Sequence, residues 1–167
     1  MDFANRISQT LHDEHMATIA LMERLETVIG RFGKGTPPDA KEPAVAKLLS
    51  DLSVGLTHEL NHHFDFEEAE LFAILAEAGD ESIATHLAEE HVVIRPIASA
   101  LVELAGEARA QGFDAARWDE FRGRGLDLCA TLVPHAQKEE AALLPVLDEN
   151  MDAETEMKLY ENYIGNA

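Results

Sequence analysis

Two segments of the chain repeat each other 72 residues apart, and the repeat fixes a helical phase. The first reads Leu56, Leu60, His63, Glu67, Leu71, Ile74 and the second Leu128, Leu132, His135, Glu139, Leu143, Val146. Both advance in steps of 4, 3, 4, 4 and 3, the spacing that keeps residues on one face of an α-helix. This is the apolar stripe available to each segment, so it faces a core. It carries into that core a histidine and a glutamate one turn apart, twice.

The intervening helices form a second matched pair, 76 residues apart. Leu11, Glu14, His15, Thr18, Met22 and Leu25 correspond to Leu87, Glu90, His91, Ile94, Ala98 and Leu101. One histidine falls on each stripe. The chain therefore reads as two copies of a helical hairpin, each supplying a lone histidine and a His-x-x-x-Glu pair.

Turn signals set the boundaries. A first helix from about Phe3 to Ile29 stops at Gly30, Gly33, Gly35, Pro37 and Pro38. A second starts at Pro43, suited to a first helical turn, and ends at Ala78 before Gly79. Asp80 and Asp114 are placed to cap a third helix ending at Gln111 and a fourth ending at Asn150. Pro96 and Pro134 should bend the third and fourth helices. A short helix after Asp152 is expected to dock through Met157, Tyr160 and Ile164. No strand pattern persists. The expected fold is all-α: an up-down-up-down four-helix bundle over residues 1–150 and a short C-terminal helix over 151–167 that packs on it.

A buried unpaired carboxylate costs several kcal/mol or shifts its pKa until it is neutral. Two such groups beside four core imidazoles call for a compensating charge, and metal ions supply it. The candidate ligands are His15, His63, Glu67, His91, His135 and Glu139. Shared symmetrically, they give each of two metals a pair of histidines and two bridging glutamates. Room is left for a bridging oxide or hydroxide and for an outside ligand. Imidazole and carboxylate suit iron, manganese or zinc, and a carboxylate-bridged pair in a bundle core favours iron or manganese. A structural zinc site would be closed by four ligands, often with cysteine, whereas this chain has only Cys129. The competing reading is a metal-free layer of hydrogen-bonded polar groups, an expensive way to gain specificity.

The neighbouring residues have plainer expectations. His12 is a nearby solvated or supporting group, and His58 and His62 belong to an exposed helix face. His86 lies five residues before His91, about 140° away around a regular helix, and reaches the site only across a π-bulge. Glu68 and Glu140 turn about 100° from their neighbours Glu67 and Glu139 and suit surface or supporting roles. Glu59, four before His63, is placed to orient that imidazole. Cys129 reads as a buried thiol, and Phe64, Phe66, Phe72 and Trp118 as packing.

The His-x-x-x-Glu-Glu-x-x-Leu segments at His63 and His135, with Glu14-His15 and Glu90-His91, resemble the hemerythrin-like, HHE cation-binding family over residues 3–149. The resemblance implies a non-haem di-iron centre on His15, His63, Glu67, His91, His135 and Glu139. Oxygen-carrying members place two histidines four apart on the third helix and end the motif with an aspartate five residues after the last histidine. Here His86 and His91 are five apart and Glu139 takes the final position. The pattern is closer to the four-histidine, two-glutamate branch, with iron-sulfur repair and iron-sensing members, and points away from oxygen storage.

Composition narrows the partners. The formal net charge is -19, which repels nucleic acid and anionic membranes. No apolar run is long enough for a transmembrane helix, and the polar N-terminus does not read as a secretory signal. A reduced, cytoplasmic setting and a small ligand (O2, NO or peroxide) are expected, with a protein partner left open. The alternatives are a di-iron oxidase or peroxidase, and a bundle whose metal occupancy regulates a partner.

Overall fold

The computed structural model describes residues 2–166. Four long helices alternate in direction. Helix α1 is Arg6–Arg31, and α2 covers residues 43–78, starting at Pro43 and running to the break at Gly79. Helix α3 is Glu81–Gln111, and α4 is Ala115–Ala142. A short α5, Leu144–Asn150, continues the line of α4 past a turn at Leu143. Helix α6, Ala153–Gly165, follows. The expected bundle with a short C-terminal helix is what the chain forms.

Hydrophobic burial divides into two masses. Met22, Leu25, Leu52, Leu56, Ile94, Leu101, Trp118 and Leu132 fill one end. Ile7, Leu11, Leu71, Leu75, Leu87, Leu147 and Leu159 fill the other. On each long helix the site residues fall between these masses, so the polar layer sits mid-bundle, shielded at both ends.

Chain reversals follow local chemistry. Gly79 and Gly112 have φ of 106° and 78°, a region that glycine enters without steric cost. The Asp114 side chain accepts a bond from the Arg117 N–H at 2.7 Å, capping α4 as expected. Asp80 precedes α3, but its side chain makes no capping bond there. The Trp118 indole N–H donates to the Gly33 carbonyl at 3.0 Å, tying the first loop to α4. Helices α3 and α4 run uninterrupted through Pro96 and Pro134.

Helix α2 holds a feature that side-chain spacing does not signal. The Phe64 N–H bonds to the Glu59 carbonyl and the Phe72 N–H to the Glu67 carbonyl, each five residues back. These are π-turns, Glu59–His63 and Glu67–Leu71. A wider turn delays the helical phase. As a result Glu59, His63, Phe64 and Glu67 are all buried, and the stripe ends on Leu75 rather than Ile74. In α5 it likewise ends on Leu147 rather than Val146, past the turn at Leu143.

Helix α6 also docks one step out of the expected phase. Its buried residues are Glu156, Leu159 and Tyr163, while Met157 and Ile164 are exposed. The Arg6 side chain explains the choice. Its guanidinium pairs with Glu156 at 2.9 Å and lies over the Tyr160 ring at 4.4 Å. The Arg6 backbone N–H also donates to Glu156, at 3.0 Å.

Candidate metal centre

All six expected residues meet in the polar layer. Their donor atoms form two overlapping groups, His15/His63/Glu67/Glu139 and Glu67/His91/His135/Glu139, and within each group these atoms lie within 4.8 Å of one another. None of the six is more than 1% exposed. Both glutamates belong to both groups. Glu67 Oε1 lies 3.0 Å from His63 Nε2, and Oε2 lies 3.4 Å from His91 Nε2. Glu139 Oε2 lies 3.1 Å from His15 Nε2, and Oε1 lies 2.9 Å from His135 Nε2. Each carboxylate therefore spans the two clusters, one oxygen toward each.

A ring of four further glutamates orients the imidazoles. Glu14 of α1 meets His63 Nδ1 of α2 at 2.7 Å. Glu68 of α2 meets His91 Nδ1 of α3 at 2.8 Å. Glu90 of α3 meets His135 Nδ1 of α4 at 2.9 Å, and Glu140 of α4 meets His15 Nδ1 of α1 at 2.6 Å. A carboxylate only accepts, so each Nδ1 carries its proton and each Nε2 is left to aim inward. These partners adjoin the cluster residues in sequence: Glu14 and Glu90 precede a histidine, and Glu68 and Glu140 follow a glutamate. Adjacency is the signal that finds them, although it does not say which helix each serves.

Glu59 does not orient His63. Its Oε2 accepts from the Thr18 hydroxyl at 3.2 Å, and Glu14 takes the histidine instead. Glu59 is 3% exposed, and burial raises its pKa. It lines a groove of about 380 Å³ between α1 and α2, together with Glu14, Thr18, Leu21, Gly55 and His58.

The other histidines stay outside both clusters. His12 meets Glu140 at 2.6 Å and His58 meets Glu14 at 3.0 Å. His62 stacks on Tyr163 with ring centres 4.2 Å apart. His86 is exposed, 3.2 Å from Glu90. The π-turn that would have brought it inward lies in α2 instead. Phe64 packs flat against His91, ring centres 3.7 Å apart, and Phe72 lies 5.4 Å from the same ring. These phenyl groups form an apolar wall on that side. Cys129 is buried near the Met22 carbonyl and sulfur, and burial pushes its pKa up to about 12.

The electrostatics show what the layer lacks. His15 and His63 approach nitrogen to nitrogen at 3.1 Å, and His91 and His135 at 3.0 Å. Burial pushes the His15 pKa down, but contact with Glu139 and Glu140 outweighs it and raises the value to about 9. His91 is likewise raised to about 9, burial being outweighed by Glu139 and Glu67. Burial and the neighbouring Glu139 charge push Glu67 up, yet His63 and His91 bring it net down. Both Glu67 oxygens and Glu139 Oε1 are buried with no hydrogen-bond partner. Facing imidazole nitrogens and orphaned carboxylate oxygens describe a polar layer suited to cations. The donor set fits a pair of metal ions, each held by two histidines and both glutamates.

A mid-bundle pair of His/Glu clusters, bridged by two carboxylates, defines a metal-binding four-helix bundle. The chain matches the hemerythrin HHE cation binding domain over residues 6–147 and belongs to that family. A search of curated proteins returned no match. Helix α6 lies beyond the matched residues.

Proposed function

We propose that the chain is a non-haem di-iron protein that binds, senses or detoxifies a small ligand such as O2, NO or peroxide. The two spanning carboxylates carry this reading. Imidazole and carboxylate donors in a carboxylate-bridged pair suit iron in a helical bundle. His15 and His63 would hold one ion, His91 and His135 the other, and Glu67 and Glu139 both. Four protein donors per ion leave coordination positions for a ligand from solution. The iron pair would supply ligand binding and one-electron chemistry.

The chain's own residues supply the rest. The outer glutamates fix the imidazole tautomers. The two hydrophobic masses exclude bulk water. Phe64 and Phe72 give the His91 side an apolar wall suited to a small, weakly polar ligand. An oxidase of the carboxylate-rich kind is less well supported, because such bundles use Glu-x-x-His and four glutamates, whereas this site is rich in imidazole.

Iron analysis with absorption spectra, before and after exposure to O2 and NO, tests the proposal. Two irons per chain and near-UV bands that change with the ligand are expected. Iron well below one per chain after anaerobic reconstitution would overturn it.

A further inference from the structure

The six inward donors are arranged almost symmetrically, but the groups behind them are not. On the His91/His135 side, permanent cations back both outer carboxylates. Arg95 Nη2 lies 3.0 Å from Glu68 and 2.8 Å from Asp65, and Nη1 donates to the Leu60 carbonyl at 2.7 Å. Lys138 Nζ pairs with Glu90 and lies 3.3 Å from His86.

On the His15/His63 side, no lysine or arginine bonds to Glu14 or Glu140 among the described residues. The Tyr163 hydroxyl donates to Glu14 at 2.5 Å, His58 meets Glu14 at 3.0 Å, and His12 meets Glu140 at 2.6 Å. The buried Glu59 carboxyl adds a further acidic group on this side, joined to α1 through Thr18.

We propose that the two metal positions are inequivalent, with the His15/His63 position binding first and more tightly and the His91/His135 position holding the more labile ion. The proposal rests on the metal-binding reading above. Its physical basis is fixed charge. A carboxylate hydrogen-bonded to an imidazole raises that ligand's basicity. A lysine or arginine on the far side of the carboxylate draws that charge away and directly repels a second cation. Tyr163 orients Glu14 without adding a positive charge, and Glu59 places a carboxyl rather than a cation on this side. Both effects act in the same direction. Tyr163 is thus a positioning residue contributed by the helix outside the family match.

Anaerobic titration of the metal-free chain with Co(II), followed by its visible absorption and by calorimetry, tests the order. Two steps are expected, separated by about tenfold or more in affinity, the lower end of what outer partners of metal ligands contribute. His135→Ala should keep the tight step, and His63→Ala should keep only the weak one. Lys138→Gln should tighten the second step several-fold and leave the first unchanged, while Tyr163→Phe should weaken the first. Two equal steps in the parent chain, or loss of the tight step in His135→Ala, would overturn the asymmetry and leave paired metal binding intact. No uptake of Co(II) or Fe(II) would overturn both.

Discussion

His91 and His135 face each other with their Nε2 atoms 3.0 Å apart, while Glu68 and Glu90 occupy their Nδ1 atoms. Two neutral imidazoles so arranged would direct lone pairs at each other. A proton or a metal ion must lie between them for the contact to be favourable, and the surrounding glutamates attract either.

Competition between protons and metal gives a pH dependence with a definite sign. His15 and His91 have folded pKa values raised from 6.5 to about 9 without metal. Their contribution to stability is therefore complete below 6.5 and is lost as pH rises through about 9. Metal affinity moves the opposite way, because fewer protons need displacing. Melting curves of metal-free and loaded chain across this window are expected to diverge as pH rises. A constant gap would contradict the raised values.

Glu67 touches both clusters, so Glu67→Ala should lower metal content at both positions. Removal of a histidine from one cluster should leave the other ion in place. Metal analysis of the purified variants, with circular dichroism to verify helix content, distinguishes shared from single loss.

Fold and site are legible in the sequence to different depths. Helical phase follows from side-chain spacing, and spacing alone puts His15, His63, Glu67, His91, His135 and Glu139 on inward faces. The π-turns at Glu59–His63 and Glu67–Leu71 carry no such mark. They put Glu59 and Phe64 inside with His63. Tail docking departs from the apolar pattern by one step: Leu159 and Tyr163 turn inward with the Arg6–Glu156 pair, and Met157 and Ile164 stay outside. Which glutamate serves which histidine is a tertiary property, invisible along one helix.

Outer-ring bonds should matter without being ligand bonds. Glu140→Gln keeps the shape of the side chain but removes the charge that holds His15 and His12. Metal affinity is expected to fall by about 10- to 100-fold, with little change in helix content. Isothermal titration would show it, and an unchanged affinity would argue that His15 is held by packing alone.

The Tyr163 hydroxyl bonds to Glu14, whose pKa is lowered to about 2. Burial pushes Glu14 up, and bonds from His63, Tyr163 and His58 more than reverse it. A hydrogen bond to an ionised group contributes about 1.5–3 kcal/mol. Tyr163→Phe should lose that order of stability in urea unfolding near neutral pH. The loss should shrink as pH falls from 4.5 toward 2, where Glu14 takes up its proton.

Gly79 has φ 106° and open space around the position of a Cβ. Gly79→Ala would therefore be strained by its backbone alone, at a cost of about 1–2 kcal/mol. A drop in melting temperature with unaltered metal content is expected. An equal loss in both would mean that this turn also sets the site.

The ring of glutamates runs from α1 to α2, α2 to α3, α3 to α4 and back to α1. One link lies inside each hairpin and two cross between them. Exchanging the hairpins leaves the ring unchanged. Two separate copies of one ancestral hairpin could thus have closed the same ring by pairing around a twofold axis, and fusing them would have made the partnership permanent. The two halves are no longer alike: the second carries Arg95 and Lys138 where the first has Ile19 and Phe66.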